Sequence, residues 1–167
     1  MGLLAFIKSI DRPKYGTNRP KDIATLMVQF DSIVNEPPRE WTDEVEREVQ
    51  EAIDLYKKGH AHDERDEVDA AIECYSKAIE LHPLFMEALD NRGLRYLEQM
   101  KFELAIPDFE RSAQIEPESP LAFVALIECY RKTGQSQKAY RTIRYCIHKW
   151  PDKSPFPDWN QKYASTR

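Results

Sequence analysis

The sequence is short of the residues and segments on which several classes of protein depend. Its 167 residues include 3 cysteines and 5 glycines. Cys74, Cys129 and Cys146 form an odd set without metal-ligand spacing, which argues against a disulfide framework and favours small buried side chains in a reducing compartment. The few glycines form no glycine-rich phosphate loop. No run approaches the roughly 20 apolar residues that a membrane-spanning helix needs.

The charge and the motif inventory exclude further functions. The formal net charge is −5, which argues against general nucleic-acid binding, because such proteins use a basic surface to offset phosphate charge. No nucleophile elbow occurs. His60 and His62 are two residues apart and would face different directions on a helix, unlike the i, i+4 pair of a helical metal site. We therefore predict a protein that is not an enzyme and has no metal or cofactor.

The first ten residues, MGLLAFIKSI, are apolar enough to raise the question of a signal peptide. No basic segment precedes them, Lys8 interrupts them, and no cleavage site of small residues follows. We interpret them as a short packing segment and predict a cytoplasmic protein.

The stretch from Ala52 to Pro151 repeats itself every 34 residues. Five columns recur at that period: Ala71, Ala105 and Ala139; Pro83, Pro117 and Pro151; Gly59 and Gly93; Tyr75, Phe109 and Ile143; and Leu55, Leu89 and Phe123. Within a unit the apolar residues follow i, i+3, i+4, i+7 spacing, which predicts two amphipathic helices joined by a tight turn. The small residues predict a close helix crossing, with the large residue at Tyr75 and its equivalents filling the space beside it.

This pattern resembles the tetratricopeptide repeat family. The matching features are the small residue of the first helix, the tyrosine three positions later (Tyr96, Tyr130), the alanine that opens the second helix, the large apolar residue and the closing proline. His62 and Ile127 depart from it, since tyrosine and glycine are usual there. The resemblance implies an all-α helical solenoid, a right-handed superhelix of antiparallel helix pairs. Its three repeats cover about residues 52–83, 84–117 and 118–151.

Two segments flank the array. Residues 1–41 include a predicted extra helix from about Pro20 to Val34, with Ile23, Leu26, Met27, Phe30 and Ile33 on one apolar face. This helix either caps the first repeat or lies across the groove, and it brings the expected number of helices to at least seven. The first repeat helix should begin at a Thr42 or Asp43 cap and be about two turns longer than its counterparts. Residues 152–167 are predicted to form a tail, whose aromatic side chains pack on the last helix.

The resemblance also implies a binding groove on the concave side, lined by the first helix of each pair. Its residues would be Ile53, Tyr56, His60 and Asp63, then Glu87, Asp90, Asn91, Leu94 and Leu97, and then Leu121, Val124, Glu128 and Arg131. A known subgroup of the family holds the terminal carboxylate of chaperone peptides, and only Asn91 matches that clamp. The expected ligand is therefore a different protein or peptide segment, one with basic and apolar residues.

Charge is distributed unevenly along the array. Residues 42–90 contain 15 acidic and 5 basic residues, whereas residues 131–167 contain 9 basic and 2 acidic residues. Lys138, Arg141, Arg144 and His148 share one face of the last repeat helix and form a basic ridge. This ridge is either a solvated surface, a steering surface for a charged partner, or a head-to-tail contact between copies of the chain.

Two functions remain open from the sequence. One is an adaptor or scaffold that binds a partner segment in the groove. The alternative is a dedicated chaperone or immunity-type protein that masks a single cognate partner, for which a small stand-alone array is a suitable size.

Overall fold

A computed structural model describes residues 42–150 of the chain, and these residues form six α-helices without a strand. In chain order the helices are α1 (Asp43–Asp63), α2 (Val68–Leu81), α3 (Met86–Glu98), α4 (Phe102–Ile115), α5 (Pro120–Lys132) and α6 (Ser136–Lys149). The prediction of an all-α helical array is confirmed. The predicted helix at about residues 20–34 and the predicted tail lie outside the described residues.

The six helices form three successive pairs, and each helix packs on the next along the chain. Three or four residues separate the two helices of a pair, so the helices within a pair run antiparallel. α1, α3 and α5 are the first helices of the pairs, and α2, α4 and α6 are the second helices. The helix pairs follow the 34-residue period of the sequence, and three repeats account for all six helices.

The predicted start and length of the first helix are confirmed. The Thr42 side chain caps α1, since its Oγ1 accepts a hydrogen bond from the backbone N–H of Val45 at 3.3 Å. Asp43, Glu44 and Glu46 follow in the first turn, where the positive end of the helix dipole favours carboxylates. α1 has 21 residues and α3 has 13, so α1 is longer by about two turns of ~3.6 residues.

The glycine and aromatic columns meet at the crossing of each of the first two helix pairs. A Cβ atom added to Gly59 would lie 2.7 Å from Cε1 of Tyr75, and one added to Gly93 would lie 2.9 Å from Cζ of Phe109. Tyr75 and Phe109 are fully buried. Each aromatic ring therefore occupies the volume that a side chain on the glycine would need, as the repeat predicted.

The third pair fills the same space with different residues. Ile127 stands in the glycine column and Ile143 stands in the aromatic column, and both are buried in one cluster with Cys146. A larger residue on the first helix is matched by a smaller one on the second. The total volume at the crossing is thereby approximately kept, which is the kind of exchange that cores tolerate best.

Each turn within a pair contains one residue with positive φ at the same place in the repeat. These residues are Asp66 (φ 60°), Met100 (φ 57°) and Gly134 (φ 74°). After Met100, the N–H of Lys101 donates to the carbonyl of Tyr96 at 2.8 Å, and the N–H of Gln135 donates to Tyr130 in the same way. This is a Schellman-type helix end. The same helix end recurs in all three repeats, since the N–H of Glu67 likewise donates to the carbonyl of His62.

Met100→Gly is expected to raise the free energy of unfolding by about 0.5–1 kcal/mol, because a left-handed conformation strains a side chain and the gain exceeds the added flexibility of the unfolded chain. Met100 is 74% exposed, so the loss of its side chain removes little packing. Denaturant unfolding of both proteins measures the difference.

Gly134→Ala is the matched control for Met100→Gly. A Cβ atom at Gly134 would meet nothing within 4 Å, so only the backbone conformation changes the stability, and we expect a loss of about 1 kcal/mol. Equal stability of wild type and Met100→Gly would show that the turn relaxes without cost.

Candidate partner-binding groove

The structure places all the predicted groove residues on the three first helices. Ile53, Tyr56, His60 and Asp63 lie on α1, Glu87, Asp90, Asn91, Leu94 and Leu97 lie on α3, and Leu121, Val124, Glu128 and Arg131 lie on α5. They fall into a polar group, which is mostly half-buried, and an apolar group, which is buried except for the half-buried Ile53. The two groups differ in what they could offer a ligand.

The apolar group belongs to the core. Leu94, Leu97, Leu121 and Val124 are buried within one cluster that also holds Phe109. The exposed fraction of Leu97 and of Val124 is 1%. Val124 was predicted to line the groove, but its side chain offers no exposed apolar surface to a ligand. Val124→Asp would place a charge in the core and unfold the protein, so this variant cannot be used to test ligand binding.

Several polar groove residues hold neighbouring repeats together. The Asn91 amide donates a hydrogen bond to the Tyr56 hydroxyl at 2.9 Å, which joins α3 to α1. Asp63 accepts a hydrogen bond from the Tyr75 hydroxyl at 2.6 Å, and Arg95 lies 3.7 Å from the same carboxylate. Burial and the Asp63 carboxylate raise the pKa of Tyr75, so the phenol stays protonated and donates. The charge of Asp63 is therefore compensated within the array.

Glu87 is the groove carboxylate with the least compensation. It lies in the first turn of α3, and no ion pair joins its carboxylate to another side chain among residues 42–150. Burial raises the pKa of Glu87, the hydrogen bond from its own backbone N–H opposes this effect, and the negative charge of Glu116 adds to it. The ionised form is thus held in a partly desolvated place, where a cation from a ligand would be favourable.

The last repeat carries a mixture of charges. On α5 the Glu128 carboxylate lies 3.6 Å from Arg131 and 3.8 Å from Lys132. On α6 the ammonium of Lys138 lies 3.3 Å from Glu110 and 5.1 Å from the centre of the Tyr130 ring. These contacts turn Lys138 back toward the array.

The rest of the predicted basic ridge is exposed. Arg141 and Arg144 have exposed side chains and form no ion pair within the part of the chain that the structure describes. These two arginines are therefore the freely accessible cations of the ridge, and they offer a control surface away from the first helices.

A buried ion pair joins α3 to α4, and the repeated apolar positions of the sequence do not indicate it. The Arg92 guanidinium donates two hydrogen bonds to the Asp108 carboxylate, at 2.9 and 2.6 Å, and a third to the Ser76 hydroxyl at 3.1 Å. Burial alone would lower the pKa of Arg92, but the hydrogen bond and charge of Asp108 raise it above its ordinary value. A signal was present in the sequence, because an aspartate occupies a column that holds Cys74 and Thr142 in the other repeats.

Two further findings concern membranes and metals. No helix within residues 42–150 is both long and apolar enough to cross a bilayer. The same residues contain no group of three or more histidine, cysteine or acidic side chains placed to hold a metal ion.

Comparison with known proteins supports the helical repeat. A family model described as tetratricopeptide repeat matches residues 55–83. The chain is 35% identical over 80 residues to a UDP-N-acetylglucosamine–peptide N-acetylglucosaminyltransferase of Giardia intestinalis, which is 48% of this chain and 5% of that protein. It is 25% identical over 120 residues to protein unc-45 homolog B of Xenopus laevis, 70% of this chain and 13% of that protein. The chain therefore spans a small part of these relatives.

Solved structures share the fold at low sequence identity. The first tetratricopeptide domain of Spaghetti (RPAP3), bound to an HSP90 peptide, superposes with a TM-score of 0.59 at 20% identity, covering 70% of this chain and 92% of that one. MamA gives a TM-score of 0.55 at 22% identity, covering 86% and 78%. The recurring columns, the three helix pairs and these matches lead to one assignment. Residues 42–150 have the tetratricopeptide-type helical fold, and residues 55–83 match the model of that repeat.

Proposed function

We propose that this chain is a protein-interaction module, an adaptor or scaffold, which holds a segment of a partner protein along the concave side of α1, α3 and α5. It acts by binding and carries out no chemistry of its own. The solved Spaghetti domain holds an HSP90 peptide, and another structure of the same fold is the CopN–Scc3 complex, which has a TM-score of 0.56 at 14% identity. Both are complexes with a second protein or peptide, which supports the proposal of a binding module.

The observation that carries the proposal is the partly desolvated carboxylate of Glu87. The array provides Arg95 for Asp63 and Arg131 for Glu128, but among residues 42–150 it provides no cation for Glu87. A lysine or arginine of a partner would supply the missing charge at a site where burial has weakened the competition from water. The groove should therefore select a basic segment, in contrast to the acidic HSP90 peptide SRMEEVD of the Spaghetti complex.

Affinity capture from the native extract, followed by mass spectrometry, identifies the partner. Glu87→Lys should lose it, and with the purified partner this variant should slow association by about tenfold or more, because attraction between opposite charges speeds encounter. The slower association should also depend less on salt concentration.

The control is the double variant Arg141→Glu, Arg144→Glu, which reverses two charges on α6, whereas Glu87→Lys reverses one. We expect it to keep the partner. If the control loses the partner and Glu87→Lys keeps it, the functional surface is the basic ridge. Several partners of moderate affinity indicate an adaptor, whereas one tight partner indicates the masking protein.

A further inference from the structure

An exposed apolar patch lies at the start of α4. Within residues 42–150, the large apolar side chains with the highest exposure are Met100 at 74% and Leu104 at 51%. Leu104 and Pro107 are three residues apart in α4, so they share one side of the helix, and Pro107 is exposed as well. Met100 precedes them in the turn. Single exposed apolar residues are common on any protein, whereas a group of them is a feature of contact surfaces.

Two of these residues are locally unfavourable where they stand. Met100 has a φ of 57°, a left-handed conformation that glycine adopts without strain, and the equivalent residues of the other repeats are Asp66 and Gly134. Pro107 lies inside α4 and cannot donate the regular backbone hydrogen bond to the carbonyl of Glu103. Neither residue contributes a buried side chain to the core. Such departures from local preference are expected where a protein makes contacts outside its own fold.

Opposite charges lie on the two sides of this patch. The 34-residue period places the exposed sides of α2 and α6 next to that of α4 along the array. The first repeat carries exposed carboxylates there, which form an acidic flank of Asp66, Asp69 and Glu73, and the third repeat carries the basic ridge. α6 contains four lysine or arginine residues and no acidic residue. The surface therefore changes from acidic through apolar to basic along the array.

This order of charges is self-complementary. A two-fold rotation about the apolar patch turns the array end for end, so the acidic flank of each copy meets the basic ridge of the other. We propose that two copies of this chain form a symmetric dimer through the exposed sides of α2, α4 and α6, with Leu104 and Pro107 near the axis. The predicted groove lies on α1, α3 and α5, so the dimer presents two grooves and binds two partner segments at once.

End-to-end stacking of copies is disfavoured by like charge. The contact across the first repeat boundary includes the hydrogen bond from Arg92 to Ser76. A second copy that continued the array in the register of the repeat would place its Lys58 against Arg144, because these residues stand at the equivalent positions. Both are exposed cations. The basic ridge therefore suits the acidic flank of a second copy and does not suit the free end of one.

Sedimentation equilibrium of the full chain measures the association. We expect a dimer that dissociates on dilution, because the apolar patch is small, and that weakens at high salt, because exposed charges are screened. Leu104→Glu should raise the dissociation constant of the dimer at least about tenfold, since it places a charge at the centre of the interface. Gln50→Glu adds the same charge on α1 and is the matched control, which should associate like wild type.

Met100→Gly separates a role in the interface from a role in packing. This change should stabilise the fold and yet weaken the dimer, because it relieves the turn and removes an apolar side chain from the contact surface. A variant damaged only in its packing would lose stability and association together. Thermal melting establishes that the array stays folded in each protein.

Charge reversal tests the arrangement of the two copies. Asp69→Lys, Glu73→Lys reverses the acidic flank, and Arg141→Glu, Arg144→Glu reverses the ridge. Each double variant alone should dimerise at least about tenfold more weakly than wild type, since like charges then meet on both sides of the patch. An equal mixture of the two should form a mixed dimer with an affinity close to that of wild type, because every basic side then meets an acidic one.

Three results would overturn the inference. The first is a wild-type chain that is monomeric at every concentration up to about 1 mM. The second is a mixture of the two reversed variants that stays monomeric. The third is association into species larger than dimers that survives Leu104→Glu, because it would indicate open end-to-end contacts. Capture of the groove partner by wild type and its loss with Glu87→Lys are independent of all three results, so the proposed function is tested separately.

Discussion

Replacing Arg92 with alanine should lower the free energy of unfolding by about 3–5 kcal/mol, because it leaves a buried carboxylate without its cation. Asp108 is 2% exposed, and the Arg92 guanidinium is its hydrogen-bond partner on both oxygens. Arg92→Ala also removes the hydrogen bond from the Arg92 guanidinium to the Ser76 hydroxyl, which loosens α3 from α2. Denaturant unfolding of the variant and the wild type measures the loss.

The deficit of Arg92→Ala should shrink as the pH falls. Burial holds the pKa of Asp108 above its ordinary value even beside Arg92, and the loss of Arg92 raises this pKa further. The folded variant therefore takes up the proton at a higher pH than the folded wild type does, and the difference in stability between them narrows toward acid. Arg92→Met combined with Asp108→Leu should recover most of the loss, since no charge is then buried.

Lys77→Ala, which breaks the exposed Glu73–Lys77 pair on α2, is the control and should change the stability by less than about 0.5 kcal/mol. A small effect of Arg92→Ala itself would mean that water reaches Asp108.

The crossing of α3 and α4 gives the second large expected effect. Gly93→Ile should cost about 3 kcal/mol, because even the Cβ atom would lie 2.9 Å from the ring of a fully buried phenylalanine. Phe109→Ile alone should also destabilise, since it leaves part of the ring volume empty. The double variant copies the pair that the third repeat already has, Ile127 with Ile143. The free energy of unfolding of the double variant should exceed the value expected from adding the two single losses by about 0.5–3 kcal/mol.

A double-mutant cycle based on unfolding measurements gives this coupling energy. Gly93→Ile combined with Ile106→Val, which shortens a different core residue of α4, provides a comparison pair without the exchanged volume. If the losses of stability at Gly93 and Phe109 are additive, the two positions do not share one space. This result would contradict the proposed exchange of volume between them.

Much of the array could be predicted from the sequence, because its core is built from apolar residues at a fixed period. Gly59, Gly93 and the alanine column mark the crossings directly, and Thr42 marks the start of α1. The positive-φ column escaped detection, since the backbone conformation recurs at Asp66, Met100 and Gly134 while the residue types differ. A period in residue identity reports side-chain packing, and it does not report a turn closed by backbone hydrogen bonds.

The predicted groove shows a second limit of sequence reasoning. The resemblance to tetratricopeptide repeats assigned Leu97 and Val124 to the concave side, but it could not establish that both are covered. The ion pair of Arg92 and Asp108 was also missed, although Asp108 stands out in its column, because the pairing depends on how the two helices of the second repeat pack. The burial of a side chain and its ion-pair partner depend on how the helices pack in the assembled array. The periodic pattern of the sequence does not contain this information.

The exchange of glycine and isoleucine makes the two helices of the third pair fit each other and disfavours pairing either of them with a helix of the first two pairs. If α5 took the place of α3 at the crossing with α4, Ile127 would be driven into the ring of Phe109. If α3 took the place of α5 against α6, Gly93 would face Ile143 across a void. Repeat proteins are exposed to such errors, because their units resemble one another. The size mismatch therefore disfavours wrongly paired helices during folding. It also disfavours an exchange of helix pairs between two copies of the chain.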